Sequence, residues 1–257
     1  MTVRIELFEY PSKEEMLKIL SESPLNKINI DGTLLNRLDL KPIEQLKYGI
    51  NITDILVLFE NRIFQTKLSY TFAMGYFNRG IPDDHWSRPS INGGTEYHPD
   101  FENEHWKNKI HFEYHIDAFF QKAFTVLDVF GHLLFKYYDL MPVRKNGRVQ
   151  DITFNNAFWN LKYQRKDIYL HNKFGKIKFS NNYKRVSKIR NAIIHSQPPY
   201  MVHNQFETKK GITTARIKYT PSKKLVEDMH DLSICIQEMV EIFCTHITEK
   251  NGSNHVE

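Results

Sequence analysis

Lys188-Ile189-Arg190-Asn191-Ala192-Ile193-Ile194-His195-Ser196-Gln197-Pro198-Pro199 closes a helix on an Arg-Asn pair and a His, and two prolines stop the helix directly afterwards. At roughly 100° per residue, Val186, Ile189 and Ile193 fall on one side and need a core to face. Lys184, Lys188, Asn191 and His195 recur on the other side, placing two ammonium groups, an amide and an imidazole in one narrow strip. Such a strip is a track for an anion. Arg190 lies about 120° round from it, and its long side chain can reach toward His195 or across an interface. Arg is a permanently charged fork that fits phosphate oxygens, and His takes or gives a proton near neutral pH, so the pair points to work on a phosphodiester. Basic residues also suit the negative end of a helix dipole, so the strip by itself leaves a structural reading open.

Outward from this helix, taken as 181–196, the chain reads as mainly α. Residues 3–10 alternate as a short strand, and Ser12-Lys13-Glu14-Glu15 caps a short helix. Residues 29–40 read as a second extended piece. From Pro42 a pattern that includes Ile43, Leu46, Ile50, Leu56 and Phe59 runs on toward Phe77 and stops at Asn78-Arg79-Gly80. Residues 80–107, with Pro82, Pro89, Gly93-Gly94 and Pro99, form a long irregular connection expected to lie over a cleft or cover a helical face. A Tyr/Phe-rich helix spans Asn108 to Asp139, a turn follows at 142–147, and another helix covers 155–164. Residues 171–178 are polar and basic and carry no assignment. After Pro199, runs at 200–206 and 213–219 flank Thr208-Lys209-Lys210-Gly211 as a β-hairpin, and Ser222 caps a last helix to about Thr245. The expected organisation is an α/β extension (1–41), a helical domain (42–249) with the long loop 80–107 and a hairpin at 199–219, and a flexible tail (250–257).

Composition narrows the function classes. The 257 residues are 41% hydrophobic and 13% aromatic, enough for a proper core without metal or disulfide. Cys235 and Cys244, nine apart in the last helix, point to different faces and read as reduced thiols. A net charge of +5, concentrated between Arg144 and Arg190, favours encounter with nucleic acid. The N-terminus lacks the pattern of a secretory signal, and Glu113, Asp117, Lys122 and Asp128 argue against the most apolar helix spanning a membrane. A cytoplasmic protein without a membrane partner is expected. No Gly-rich phosphate loop, Gly-x-Ser-x-Gly elbow or Cys-x-x-Cys pair supports nucleotide hydrolysis, serine hydrolysis or structural zinc. His111-x-x-x-His115 has a chelating spacing, but Phe112 stands where a metalloprotease needs its Glu, so no metal or cofactor is expected. On the Asn108–Asp139 helix, Glu113, Asp117, Gln121 and Asp128 share a polar stripe, either a set of ordinary ion pairs or a group facing the motif helix. Trp86, Trp106 and Tyr97-His98 in the long loop suit either stacking on bases or pinning the loop by burial.

Arg190-Asn191-x-x-x-His195, ending a late helix in a helical chain, resembles the Arg-polar-x-x-x-His signature of the HEPN superfamily, and the aromatic-rich 108–139 helix suits that family's early core helix. The resemblance implies a helical bundle of HEPN type and a homodimer in which Arg and His of two protomers meet. It implies a metal-independent endoribonuclease in which the 2′-OH attacks the adjacent phosphorus and leaves a 2′,3′-cyclic phosphate. His195 would act as general base or acid, Arg190 would stabilise the transition state, and Asn191 would orient His195 or the phosphate. Lys184 and Lys188 would hold RNA, and Asp117 or Glu113 would support His195 or Arg190. The alternative within the same resemblance is a non-catalytic module that binds RNA, a nucleotide or a protein, such as an antitoxin, in a defence or toxin-type pair.

Overall fold

A computed structural model of the chain describes residues 9–37, 39–145, 148–209 and 212–253. The strand read at 3–10 falls almost wholly outside these residues, as do the hairpin tip Lys210-Gly211 and the tail from 254. Among the described residues seven α-helices dominate: α1 (Lys13–Glu22), α2 (Pro42–Asn78), α3 (Asn103–Tyr137), α4 (Phe154–Tyr163), α5 (Ile168–Lys178), α6 (Asn181–His195) and α7 (Ser222–Ser253). The described strands pair as small antiparallel hairpins: β1 (Ser87–Pro89) with β2 (Thr95–Tyr97), β3 (Arg144–Lys145) with β4 (Arg148–Val149), and β5 (His203–Lys209) with β6 (Ile212–Lys218). The fold is a mainly α helical bundle, as the sequence leads one to expect.

Local chemistry explains most element boundaries. The Ser12 hydroxyl accepts from Glu15 N at 3.2 Å while the Glu15 carboxylate accepts from Ser12 N at 2.6 Å, a reciprocal cap that starts α1. Between 29 and 40 the chain is not extended throughout. The Asp31 carboxylate accepts from Thr33 N at 2.9 Å and from the Thr33 hydroxyl at 2.7 Å, and this bends the chain into a 3-10 turn over Gly32–Leu35. α3 begins at Asn103, before the expected Asn108, and the loop ahead of it contains the β1–β2 hairpin. The unassigned basic stretch is α5, started by Asp167, whose carboxylate accepts from Leu170 N at 2.9 Å. α7 runs past Thr245 and Lys250 to Ser253, so the described part of the expected tail is helical.

The chain gathers into two compact units. One comprises the described residues up to Ser23, Lys67–Phe120 and Arg185–Asp231; the other comprises Pro24–Thr66, Gln121–Lys184 and the residues from Leu232 onward. In the second, Phe130 lies among Phe59, Phe154, Phe174 and Phe243, with ring centroids 5.3–6.4 Å away. Gly131 is required there, because a Cβ would lie 2.5 Å from the backbone nitrogen of Phe154. In the first, Tyr70, Tyr76, Phe112, Ile116 and Phe119 are buried. α3 contains a window long and apolar enough to cross a membrane by length and composition, yet 61% of it is buried inside the fold, as suits a core helix.

His111 and His115 serve this packing as flat rings. His111 stacks on Tyr76 at 4.6 Å, and His115 stacks on Phe72 at 4.8 Å. Burial, and then the neighbouring His111, push the His115 imidazole down to about 4 from an ordinary 6.5. The folded chain therefore holds His115 neutral where the unfolded chain protonates it, and stability is lost as pH falls from about 6.5 toward 4. His115→Phe should keep the stack and remove this loss, so its melting temperature relative to the parent should rise as pH is lowered from about 7 to about 4.5. Parallel pH curves for the two proteins would disprove this account. His111, lowered for a similar reason, is retained in both.

Candidate functional site

α6 has the phase its spacing predicts. Val186 and Ile189 are buried, while Lys184, Lys188, Asn191 and His195 are all exposed on the other side. The Ser180 hydroxyl accepts from Tyr183 N at 3.2 Å to begin the helix, and Ser196 N donates to the Ala192 carbonyl at 3.0 Å before Pro198-Pro199 ends it. Half-buried Arg190 donates from its guanidinium to Asn191 Oδ1 at 3.2 Å. Asn191 thus holds Arg190, a link the sequence reading did not foresee, since it had Asn191 orienting His195 or phosphate. The His195 imidazole is exposed and, among the described residues, makes no hydrogen bond. Lys184 and Lys188 likewise form no ion pair among the described residues, so the strip presents cations and an imidazole to solvent.

The two α3 carboxylates have other partners. Asp117 Oδ2 accepts from the Tyr200 hydroxyl at 2.7 Å, and its second oxygen is buried without a hydrogen bond among the described residues. Burial pushes the Asp117 carboxyl up, and the Tyr200 hydrogen bond opposes the shift. Glu113 is paired with Lys109, whose ammonium is buried and also donates to the Tyr219 hydroxyl at 2.9 Å. Burial raises the Glu113 carboxyl and Lys109 pulls it back. Neither carboxylate is hydrogen-bonded to His195. The long-loop aromatics pack on one another and on Tyr219, though Tyr97 stays exposed: Trp86 stacks on Tyr97 at 6.0 Å and meets Tyr219 at 5.3 Å, while Trp106 packs on His98 and Phe101.

Arg185 and Tyr200 hold the site in place, and the sequence reading assigned neither. Arg185 forks onto Asp228 and Asp231 of α7, and Asp228 is 1% exposed. The only sequence trace of this is the i, i+3 spacing of two aspartates on one helix, a pattern too common to point anywhere. Tyr200 follows the prolines directly, and nothing local marks it as the partner of a residue in α3.

The profile of the Cthe2314-like HEPN family matches residues 56–248, well over half of the chain. The chain belongs to this family. No curated protein and no solved structure matches it. The matched span of this HEPN chain includes all of α3 and α6, so Arg190-Asn191-x-x-x-His195 lies inside the family region.

Two substitutions test the framework. Arg185→Ala should cost about 2–3 kcal/mol, because it strands the buried Asp228 charge, and adding Asp228→Asn should recover much of the loss in a denaturant titration. Additive losses would show that the pair is not coupled. Tyr200→Phe removes the donor that helps Asp117 ionise, so its penalty should be smallest in acid, where the Asp117 carboxyl is protonated, and should grow as pH rises and the raised carboxyl becomes charged. A penalty that does not change with pH would separate the Tyr200 contact from Asp117 ionisation.

Proposed function

We propose that this HEPN-family protein is a metal-independent endoribonuclease that works as a cytoplasmic homodimer. The observation that carries the reading is an exposed, unengaged His195 imidazole at the end of a cationic strip, with the Arg190 fork restrained one turn away by Asn191. His195 takes the proton from a ribose 2′-OH, whose oxygen bonds to the adjacent phosphorus. The bond from phosphorus to the 5′ oxygen breaks, and that oxygen takes a proton from the imidazolium of the second copy, leaving a 2′,3′-cyclic phosphate. Arg190 offsets the extra negative charge on the phosphorane, and Lys188 and Lys184 hold the flanking phosphates.

One observation favours a second reading. Among the described residues no side chain fixes the His195 ring, whereas a general base is ordinarily oriented by a third group. The same surface then serves a non-catalytic module that binds RNA, a nucleotide or an antitoxin-like protein in a defence system.

Incubation of the purified protein with mixed-sequence RNA in EDTA decides between them. On the first reading the parent yields fragments ending in cyclic phosphate and His195→Ala loses at least about 100-fold in rate with RNA affinity retained. Equal cleavage by the two proteins would remove His195 from the mechanism. Binding without cleavage by either would favour the module, and Lys188→Glu should then weaken binding with a shallower salt dependence.

A further inference from the structure

α2 is apolar on both of its faces over residues 43–64. Tyr48, Ile52, Phe59 and Ile63 are buried, yet Ile43, Leu46, Ile50, Val57 and Phe64 are 52–68% exposed. At roughly 100° per residue these five and Thr53 fall within about 80° of one another, with Asn61 at the edge of that arc and Asp54 and Glu60 just outside it. Ile43, Ile50, Val57 and Phe64 are spaced by sevens, and Leu46 and Thr53 take the companion positions, which is the repeat of a helix that packs along another helix. A contiguous exposed stripe of this kind on a folded chain marks an interaction surface.

We infer that this stripe is where a second copy of the chain docks, its α2 running antiparallel to the first. Two further observations choose the occupant. An open groove beside the stripe is lined by Leu46, Gly49, Ile50 and Thr53, and a Cβ added at Gly49 would meet nothing within 4 Å. Glycine weakens a helix interior, and nothing among the described residues requires it here, whereas close approach by an outside helix would. The charges are also self-complementary. Lys47 and Asp54 lie on one flank of the stripe, both exposed and in no ion pair among the described residues. In an antiparallel pair related by a two-fold axis, equal flanks meet. With Ile50 beside the axis, Lys47 of each copy lies opposite the other copy's Asp54, twice over.

The seam is about 33 Å long and about 10 Å wide, roughly 700 Å² over both copies and so below the range of stable specific interfaces, and the dimer is accordingly weak, reversible and dependent on concentration. This inference goes beyond the proposed chemistry: it concerns self-association through α2 and does not depend on His195, so the two can fail separately.

Sedimentation velocity of the full chain between about 1 and about 100 μM tests it. The parent should pass from monomer to dimer, and Ile50→Asp and Gly49→Arg should each raise the dissociation constant about 10-fold or more without lowering the melting temperature, because both sites face solvent. Lys47→Asp and Asp54→Lys should each weaken the dimer, and the double exchange should restore it. A parent that stays monomeric over this range would overturn the inference, as would a dimer indifferent to Ile50→Asp and Gly49→Arg. If such an indifferent dimer still cleaved RNA through His195, the functional reading would stand with its interface elsewhere. A stripe-dependent dimer with no cleavage would keep the interface and remove the nuclease.

Discussion

A single buried carboxylate, Asp83 in the long loop, organises the unit that carries the motif. It is 1% exposed and accepts from Ser222 N at 2.9 Å and from the Ser222 hydroxyl at 2.7 Å, which places a negative charge on the first turn of α7. The Tyr219 hydroxyl also donates to Asp83, and the buried Lys109 ammonium donates to that same hydroxyl and to Glu113. Loop, strand end, helix start and α3 thus share one hydrogen-bonded chain. Removing water from two carboxylates and an ammonium is expensive, and the expense is offset only while every member keeps its partner. Such a network rejects alternative packings of the loop more strongly than apolar contact would.

The same network frames the motif helix. Tyr219 closes β6 onto Asp83, Thr220 N donates to the Pro199 carbonyl at 2.8 Å, and Tyr200 reaches Asp117 on α3. The β5–β6 arm is therefore tied at its base, where it leaves α6. Arg185 clamps the other end of this stretch to α7. The backbone that carries His195 is held on both sides while its ring is left free, so the uncommitted chemistry sits on a committed scaffold.

How much of this was legible in the sequence depended on the range of the cause. α6 was read with nearly correct limits because its periodicity and the two prolines that follow it are all local signals. α1 was legible through its reciprocal cap. α5 was not, since its lysines hide the short apolar set Leu170, Phe174 and Ile177, which only the fold reveals as buried. The Asp83 cap joins residues 139 positions apart, and no local pattern announces it. Asp117 and Glu113 were rightly seen as a polar stripe, but their partners, Tyr200 and Lys109, came from the tertiary arrangement and from a neighbouring turn. For α2 the sequence showed an apolar helix without showing which face was inward. Of the five residues that mark it, Ile43, Leu46, Leu56, Ile50 and Phe59, only Phe59 is fully buried.

That last ambiguity has a physical root. A helix with one apolar stripe states its own orientation, because burying the other face would strand polar groups. A helix with two apolar stripes does not, and the choice falls to whichever face finds larger complementary rings. Phe59 wins by meeting Phe130, and Phe64 on the opposite side is left to solvent. Exposed apolar area of this extent is held against a standing tendency to associate, and proteins keep it where association is wanted. The spacing by sevens matters more than the area, since a stripe left over by chance has no reason to keep the period of a helix pair. The one glycine of that stretch, Gly49, lies on the flank opposite Lys47 and Asp54 and leaves open space beside it, which the inferred docking of a second copy would fill.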